Sequence, residues 1–115
     1  MASAATSSAA EESDQDTATQ HALALFRCRI DVLDDEIVRL LAERFEVVRE
    51  VARLKAEHGI PVRLPARIEE VCARAAETGG RQGLDQRFLR QLYRQIIDEA
   101  CAMEDRLIEK NGQGR

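Results

Sequence analysis

Residues 23–61 decide the fold: LALFRCRIDVLDDEIVRLLAERFEVVREVARLKAEHGIP. Apolar side chains recur there at alternating steps of three and four residues, which is the spacing of one face of an α-helix. Neither Pro nor Gly interrupts the pattern from Thr17 to Glu57, and Gly59 and Pro61 then supply a C-terminal cap and a helix breaker. We therefore predict a first helix of about forty residues, which at ~1.5 Å per residue spans ~60 Å, about twice the diameter of a small domain.

Two shorter helices are predicted after this long one. The second runs from Pro65, a favourable first-turn residue, to about Thr78, where Gly79 and Gly80 end it, and the third runs from about Asp85 to Lys110. Together they match the first helix in length but leave much of its apolar face uncovered. We therefore predict an all-α fold of three helices that form an intertwined homodimer, with a helical domain over 17–110 and disordered tails at 1–16 and 111–115.

Composition excludes several classes of function. The 115 residues carry a net charge of -4, and their arginines alternate with acidic residues, which argues against a nucleic-acid surface. Three cysteines without CxxC or Cys/His spacing predict neither a disulfide framework nor a zinc site, so a reducing cytoplasm is expected. The N-terminal sequence lacks the features of a secretory signal, and no run of about eighteen apolar residues predicts a membrane span.

One cation interrupts the apolar face of the first helix. Arg44 occupies a position whose neighbours on the face are all apolar, and a guanidinium cannot be neutralised. Burying an unpaired charge costs at least several kcal/mol, roughly, so Arg44 needs either a buried acid or an anionic ligand. The face consists of Leu23, Phe26, Ile30, Leu33, Ile37, Leu40, Arg44, Val47, Val51 and Leu54.

Other charged residues lie on or beside apolar helix faces. Lys55 follows Arg44 by eleven residues, about three helical turns, so both project from the same side. Glu104 lies in an apolar row of the third helix, while Arg27 and Arg67 lie beside apolar positions of the first and second. One interpretation is that Arg44 and Glu104 form a structural ion pair. For Lys55, Arg27 and Arg67, each taken alone, the simpler interpretation is a solvated side chain.

Taken together, these four cations and one carboxylate favour a small ligand with more than one negative charge. Arginine binds a carboxylate through two parallel hydrogen bonds, whereas lysine acts as a point charge, so the set suggests a dicarboxylate with a further oxygen bound by lysine. His21 precedes the packed helix and His58 lies in the loop, so no nucleophilic or metal-assisted machinery is visible. Positioning and electrostatics without a cofactor remain as the means of catalysis.

With these residues in place, the chain closely resembles the all-helical chorismate mutase family over roughly Ala22 to Ile108. Two stretches carry the resemblance: LFRCRIDVLDDEIVRLLAERFEVVREVARLKAEHGIPVR at 25–63 and GLDQRFLRQLYRQIIDEACAMED at 83–105. The resemblance implies an intertwined homodimer that uses no cofactor and has two active sites, each completed by an arginine of the partner chain. It implies that Arg27 is this partner-supplied carboxylate binder and that Arg44 and Arg67 bind carboxylates within the same chain.

The resemblance also assigns the reacting end of the substrate. It implies that Lys55 donates to the ether oxygen of the C–O bond that breaks in the Claisen rearrangement of chorismate. Glu104 stands where many bacterial members have Gln, the second donor to that oxygen.

Three positions depart from the common bacterial pattern. Leu64 and Ile68 replace acidic residues that contact the C4 hydroxyl of the substrate, and Ala100 replaces a small hydroxyl residue. The segments GIPV at 59–62, RIEEV at 67–71 and YRQIIDEACAMED at 93–105 resemble the branch that acts on 4-amino-4-deoxychorismate in antibiotic biosynthesis, so we expect that substrate to be slightly preferred over chorismate. Two alternatives remain open, an isochorismate pyruvate lyase and a weakly active homologue that binds a partner enzyme.

Overall fold

A computed structural model describes the backbone of residues 2–113 and the side chains of residues 14–110. It contains three helices, α1 (Ala2–His58), α2 (Pro65–Arg81) and α3 (Gln86–Gln113), and no strand occurs within 2–113. The prediction of an all-helical chain with one very long helix is confirmed. The chain divides into two compact units, residues 1–42 and residues 43–115, and α1 contributes residues to both.

The termini of the helices differ from the expected bounds. α1 begins at Ala2, ahead of the expected Thr17, and α3 ends at Gln113, beyond the expected Lys110. The predicted disorder of 1–16 and 111–115 stays a prediction, because the side chains of 1–13 and 111–115 lie outside the described part of the chain.

α1 ends where the sequence predicts. Gly59 adopts a φ of +66°, which a residue with a side chain rarely tolerates, and the Ile60 N–H donates to the Lys55 carbonyl at 2.8 Å. This hydrogen bond satisfies a carbonyl of the last helical turn and turns the chain into the connection to α2. Residues 59–64, hereafter the α1–α2 loop, then lead to Pro65 at the first position of α2.

The predicted end of α2 at Gly79 and Gly80 is wrong, because the helix continues through both glycines to Arg81. Gly83, at φ +84°, is the glycine that caps it: the Leu84 N–H donates to the Gly79 carbonyl at 2.9 Å and the Gly83 N–H donates to the Gly80 carbonyl at 3.2 Å. Gly79 serves packing instead. A Cβ atom there would lie 1.7 Å from Leu89 Cδ1, so only glycine permits this close approach of α2 to α3.

The unit formed by residues 43–115 has a small core between α2 and α3. Asp85 caps α3 by accepting a hydrogen bond from the Phe88 N–H at 2.8 Å, which starts the helix directly after the turn. The buried core cluster is Cys72, Ile97 and Cys101, against which Val62, Ile68, Val71 and Tyr93 pack. Ala52 of α1 is also buried, at 2% exposure. The α1–α2 loop is thus held against the core through Val62.

The unit formed by residues 1–42 contains the N-terminal part of α1, whose large apolar side chains are exposed. Exposure exceeds half for Leu25, Phe26, Ile30, Val32, Leu33, Ile37, Val38 and Leu40. Burial of such a surface is strongly favourable, at roughly 25 cal/mol per Å². Within the described residues, no helix has a segment both long and apolar enough to cross a membrane. The homodimer stays a prediction, taken up under the proposed function.

Candidate active site

A cavity of about 330 Å³ lies within the unit formed by residues 43–115. Its walls come from the last four turns of α1, the α1–α2 loop, the first turns of α2 and the second half of α3. Most of the lining is aliphatic, and the charged residues are few. The lining residues are Arg44, Val48, Val51, Lys55, Val62, Leu64, Arg67, Ile68, Val71, Ile97, Ala100, Cys101 and Glu104.

Lys55 has two partners inside this cavity. Its ammonium donates a hydrogen bond to the Val62 carbonyl at 2.7 Å, and it lies 3.2 Å from Glu104 Oε1. The side chain is only 14% exposed, so its orientation is fixed by these neighbours rather than by solvent. An ammonium has three N–H donors. The Val62 carbonyl accepts one of these N–H groups, so a further N–H is available to a ligand oxygen.

Glu104 is the buried acid of the site, at 4% residue exposure. Its Oε1 is near enough to Lys55 for an ion pair, yet this atom is buried without an aligned hydrogen bond. We regard the contact as a Coulombic pair rather than as a hydrogen bond, because the distance is suitable while the angles are not. Glu104 thus retains hydrogen-bonding capacity towards the cavity.

Arg44 reaches the same cavity from about three turns before Lys55 on α1. Its Nη1 atom is buried and has no hydrogen-bond partner. The interpretation of Arg44 and Glu104 as a structural ion pair therefore fails for Nη1, since Glu104 lies beside Lys55 instead. A buried N–H of a guanidinium that has no acceptor in the protein is suited to an anionic ligand.

The other predicted residues of this unit also line the cavity. Arg67 is 59% exposed and pairs with Glu70 at 2.8 Å, one turn along α2. Leu64 is 38% exposed, Ile68 is half-buried, and Ala100 is buried at 6%. The predicted C4 region is therefore apolar in the structure, with Arg67 at its edge.

Arg27 belongs to the other unit. It lies on the exposed surface of α1, and all residues that line the cavity belong to residues 43–115. Its predicted role depends on a partner chain and is not addressed by the geometry of this unit.

Two features of the site were missed by sequence reasoning. Arg63 Nη1 lies 3.0 Å from Asp105 Oδ2, which links the α1–α2 loop to α3 directly beside the cavity. This hydrogen bond and the carboxylate charge raise the pKa of Arg63. Cys101 lines the cavity, and its burial raises the pKa of the thiol. A loop residue that pairs with a distant helix has no periodic signal, whereas the apolar row of α3 could have indicated Cys101.

The arrangement is suited to binding an anion and stabilising charge. No cluster of three His, Cys, Asp or Glu side chains that could hold a metal ion occurs in the described part of the chain. The cavity instead brings together Arg44, Lys55 and Arg67 against Glu104 as its only lining acid. Its formal charge therefore favours a ligand with two carboxylates and a further oxygen near Lys55.

Several known proteins are similar to this chain in sequence. The family model described as chorismate mutase type II matches residues 26–105. A 4-amino-4-deoxychorismate mutase of Streptomyces venezuelae is 35% identical over 91 residues, which cover 79% of this chain and 88% of that protein. A protein of the same name from Streptomyces pristinaespiralis is 35% identical over 75% of this chain and 67% of its own length.

A chorismate mutase of Methanocaldococcus jannaschii is similar over most of both chains, at 27% identity over 76% of this chain and 89% of that protein. The matched region includes every charged residue of the cavity, the whole of α2 and α3 up to residue 105. The chain therefore belongs to the chorismate mutase type II family and is an isomerase of the chorismate mutase type.

Proposed function

We propose that this protein catalyses the [3,3] Claisen rearrangement of a chorismate-type enolpyruvyl substrate, with 4-amino-4-deoxychorismate slightly preferred over chorismate. The buried, unpartnered Arg44 Nη1 in the same cavity as Lys55 carries the proposal, because it calls for an anion at that place. Membership of the family supplies the reaction class. The names of the two Streptomyces relatives support the amino substrate.

The proposed roles follow from the charges of the reactant. Arg44 and Arg67 bind the carboxylates and hold the substrate in the compact conformer in which its two reacting carbons approach each other. A C–O bond breaks while a C–C bond forms, and negative charge develops on the departing ether oxygen. Lys55 stabilises this charge with an N–H that no protein group accepts, and Glu104, when protonated, donates to the same oxygen. Protein groups alone supply this assistance, so the proposal includes no cofactor.

The apolar C4 region offers no acceptor to a C4 hydroxyl, but it offers no acid to a C4 ammonium either, so the names of the relatives rather than this lining support the amino substrate. Leu64 and Ile68 line the cavity with hydrocarbon, where carboxylates would bind a hydroxyl group. Loss of these acids removes two acceptors, and Ala100 adds no hydroxyl. The apolar lining also suits isochorismate, which is why the lyase reaction must be tested in parallel.

A competition assay tests the substrate. Equal concentrations of 4-amino-4-deoxychorismate and chorismate are incubated with the enzyme, and both products are separated by chromatography with mass detection. Rearrangement yields an isomer of unchanged mass and new retention time, whereas the lyase reaction splits pyruvate from isochorismate. We expect kcat/KM to be higher for the amino substrate. A higher value for chorismate would reject the preference, and release of pyruvate from isochorismate alone would reject the mutase.

We also propose that the active protein is a homodimer with shared sites. The exposed apolar surface of α1 between Leu23 and Leu40 supports a second chain as its cover, and Arg27 lies within that segment. The two sites would then each combine Arg27 of one chain with Arg44 and Lys55 of the other.

Subunit mixing tests the shared site. Arg27→Ala and Lys55→Ala chains are each expected to be inactive, but their heterodimer contains one site with both residues intact. Mixing with subunit exchange should therefore restore up to about a quarter of wild-type activity per chain, because half of the chains form heterodimers with one working site in two. Heterodimers that are detected by native mass spectrometry but remain inactive would exclude a site composed of two chains.

A further inference from the structure

An ion pair outside the cavity is connected through the chain to both partners of Lys55. Lys55 donates to the Val62 carbonyl and pairs with Glu104. Arg63 is the next residue after Val62, and Asp105 is the next residue after Glu104. These two following residues pair with each other at 3.0 Å, with side-chain exposures of 57% and 44%.

The location of the Arg63–Asp105 pair suggests that it helps to orient Lys55 rather than to stabilise the fold. An exposed ion pair contributes little to the stability of a fold. This pair, however, joins the α1–α2 loop to α3 one residue away from the two groups that orient the Lys55 ammonium. The loop has few other attachments: Val62 packs on the core, while Arg63 and Leu64 are exposed. Loss of the pair would free the Val62 carbonyl to move relative to Glu104.

We infer that Arg63 and Asp105 are positioning residues, which fix the α1–α2 loop so that an N–H of Lys55 points at the bond that breaks. The inference rests on the proposed role of Lys55 as donor to the ether oxygen. Arg63 and Asp105 do not line the cavity, so they act through Val62 and Glu104 rather than on the substrate. Their effect belongs in kcat, because the carboxylates are bound elsewhere, by arginine side chains.

The test compares Arg63→Ala and Asp105→Ala with the charge-reversed double variant Arg63→Asp/Asp105→Arg in the full-length protein. Each single variant should lower kcat by about tenfold to one hundredfold, with a much smaller change in KM, as a displaced catalytic group does. The double variant should recover most of the loss, because it rebuilds the pair with the charges exchanged. Circular dichroism and thermal unfolding check that every variant is folded.

A matched control is available in the same unit. Arg90 of α3 pairs with Glu69 of α2 at 3.1 Å and is also exposed, but neither residue lines the active-site cavity. Arg90→Ala should leave kcat unchanged. If it lowers kcat as much as Arg63→Ala does, loss of any bridge between the helices is sufficient and the positioning role is wrong.

Two further results would overturn the inference. If Lys55→Ala is inactive while Arg63→Ala and Asp105→Ala keep wild-type kcat, the proposed function stands and the positioning role falls. If Arg63→Ala raises KM and charge reversal gives no recovery, Arg63 contacts the substrate directly. A Lys55→Ala variant with full activity would remove the proposed role of Lys55 and this inference together.

Discussion

Replacement of Arg44 by methionine is expected to separate ligand binding from stability. Methionine keeps most of the length and apolar contact of the arginine stem but removes the charge and the N–H donors. In the free protein, Arg44 Nη1 is buried without an acceptor. Its removal therefore relieves an unfavourable burial instead of breaking a bond.

The expected changes in stability and in kcat/KM follow from the environment of Arg44 in the free protein and in the substrate complex. A buried donor without a partner costs about 1–3 kcal/mol, so Arg44→Met should unfold at the same temperature as wild type or a few degrees higher. In its proposed role the guanidinium pairs with a carboxylate of the bound substrate, and truncation of one partner of a buried charge pair costs about 2–5 kcal/mol. At ~1.36 kcal/mol per factor of ten, kcat/KM should fall by at least about thirtyfold.

Thermal unfolding at one fixed protein concentration, with and without a dicarboxylate substrate analogue, measures both effects. Ligand at about one hundred times Kd stabilises the wild type by ~2.7 kcal/mol, and the variant should lose this gain. Arg53→Met is the control, since Arg53 is an exposed arginine of α1 that does not line the cavity. It should leave both the ligand-induced shift and turnover unchanged.

An opposite pattern would refute the reasoning. A structural ion pair predicts that removal of Arg44 lowers stability by about 3–5 kcal/mol. If Arg44→Met unfolds far below the wild type while activity per folded molecule stays normal, then Arg44 is a packing residue and the anion site lies elsewhere.

Three further measurements test other parts of the site. For Glu104→Gln, which replaces a carboxyl group by an amide that always carries N–H donors, we expect activity with chorismate to increase; a Gln variant that is inactive would show that the carboxylate is required. Burial is the chief cause that raises the pKa of Cys101, so its thiolate forms only at a pH above the usual range for a thiol. Iodoacetamide should therefore modify the exposed Cys28 first and Cys101 only in alkaline solution, as peptide mass analysis can show. Equally fast modification of both cysteines at pH 7 would contradict this prediction. Gly79→Ala should lower the free energy of unfolding by about 1–3 kcal/mol, because its Cβ meets the buried Leu89 side chain. Gly80→Ala should be neutral or slightly stabilising, because its Cβ meets only the flexible Gln86 side chain. Equal unfolding temperatures for the two variants would refute the packing role of Gly79.

The sequence predicted the fold well where apolar periodicity and caps agree. The end of α1 at His58 followed from Gly59 and Pro61, since a positive φ and a helix breaker leave few alternatives. The same rule failed at Gly79 and Gly80, because a glycine can serve close packing as well as termination. The sequence alone does not distinguish these uses, since the contact with Leu89 is made by another helix.

The site was predictable to the extent that charges interrupt apolar rows. Arg44, Lys55 and Glu104 all do so, and the structure places them around one cavity. The sequence could not predict whether Arg44 or Lys55 pairs with Glu104, because that choice depends on how α3 is rotated about its axis and shifted along it relative to α1. The Arg63–Asp105 pair was missed for a similar reason: loop residues have no periodicity, and ion pairs between distant segments require the tertiary fold.

The contrast between the two arginines of the cavity suggests a division of roles. Arg67 is exposed and already pairs with Glu70, so it must exchange this acid for a substrate carboxylate, and both states are well solvated. Such an exchange yields little affinity. It does keep a cation at the mouth of the cavity, which offsets the repulsion of a dianion by a chain whose net charge is -4. Arg44 has no acceptor to exchange for its buried Nη1, so the whole of that interaction is gained when the ligand arrives. We therefore propose that Arg67 governs mainly the capture of the substrate, and that Arg44 governs its affinity and orientation.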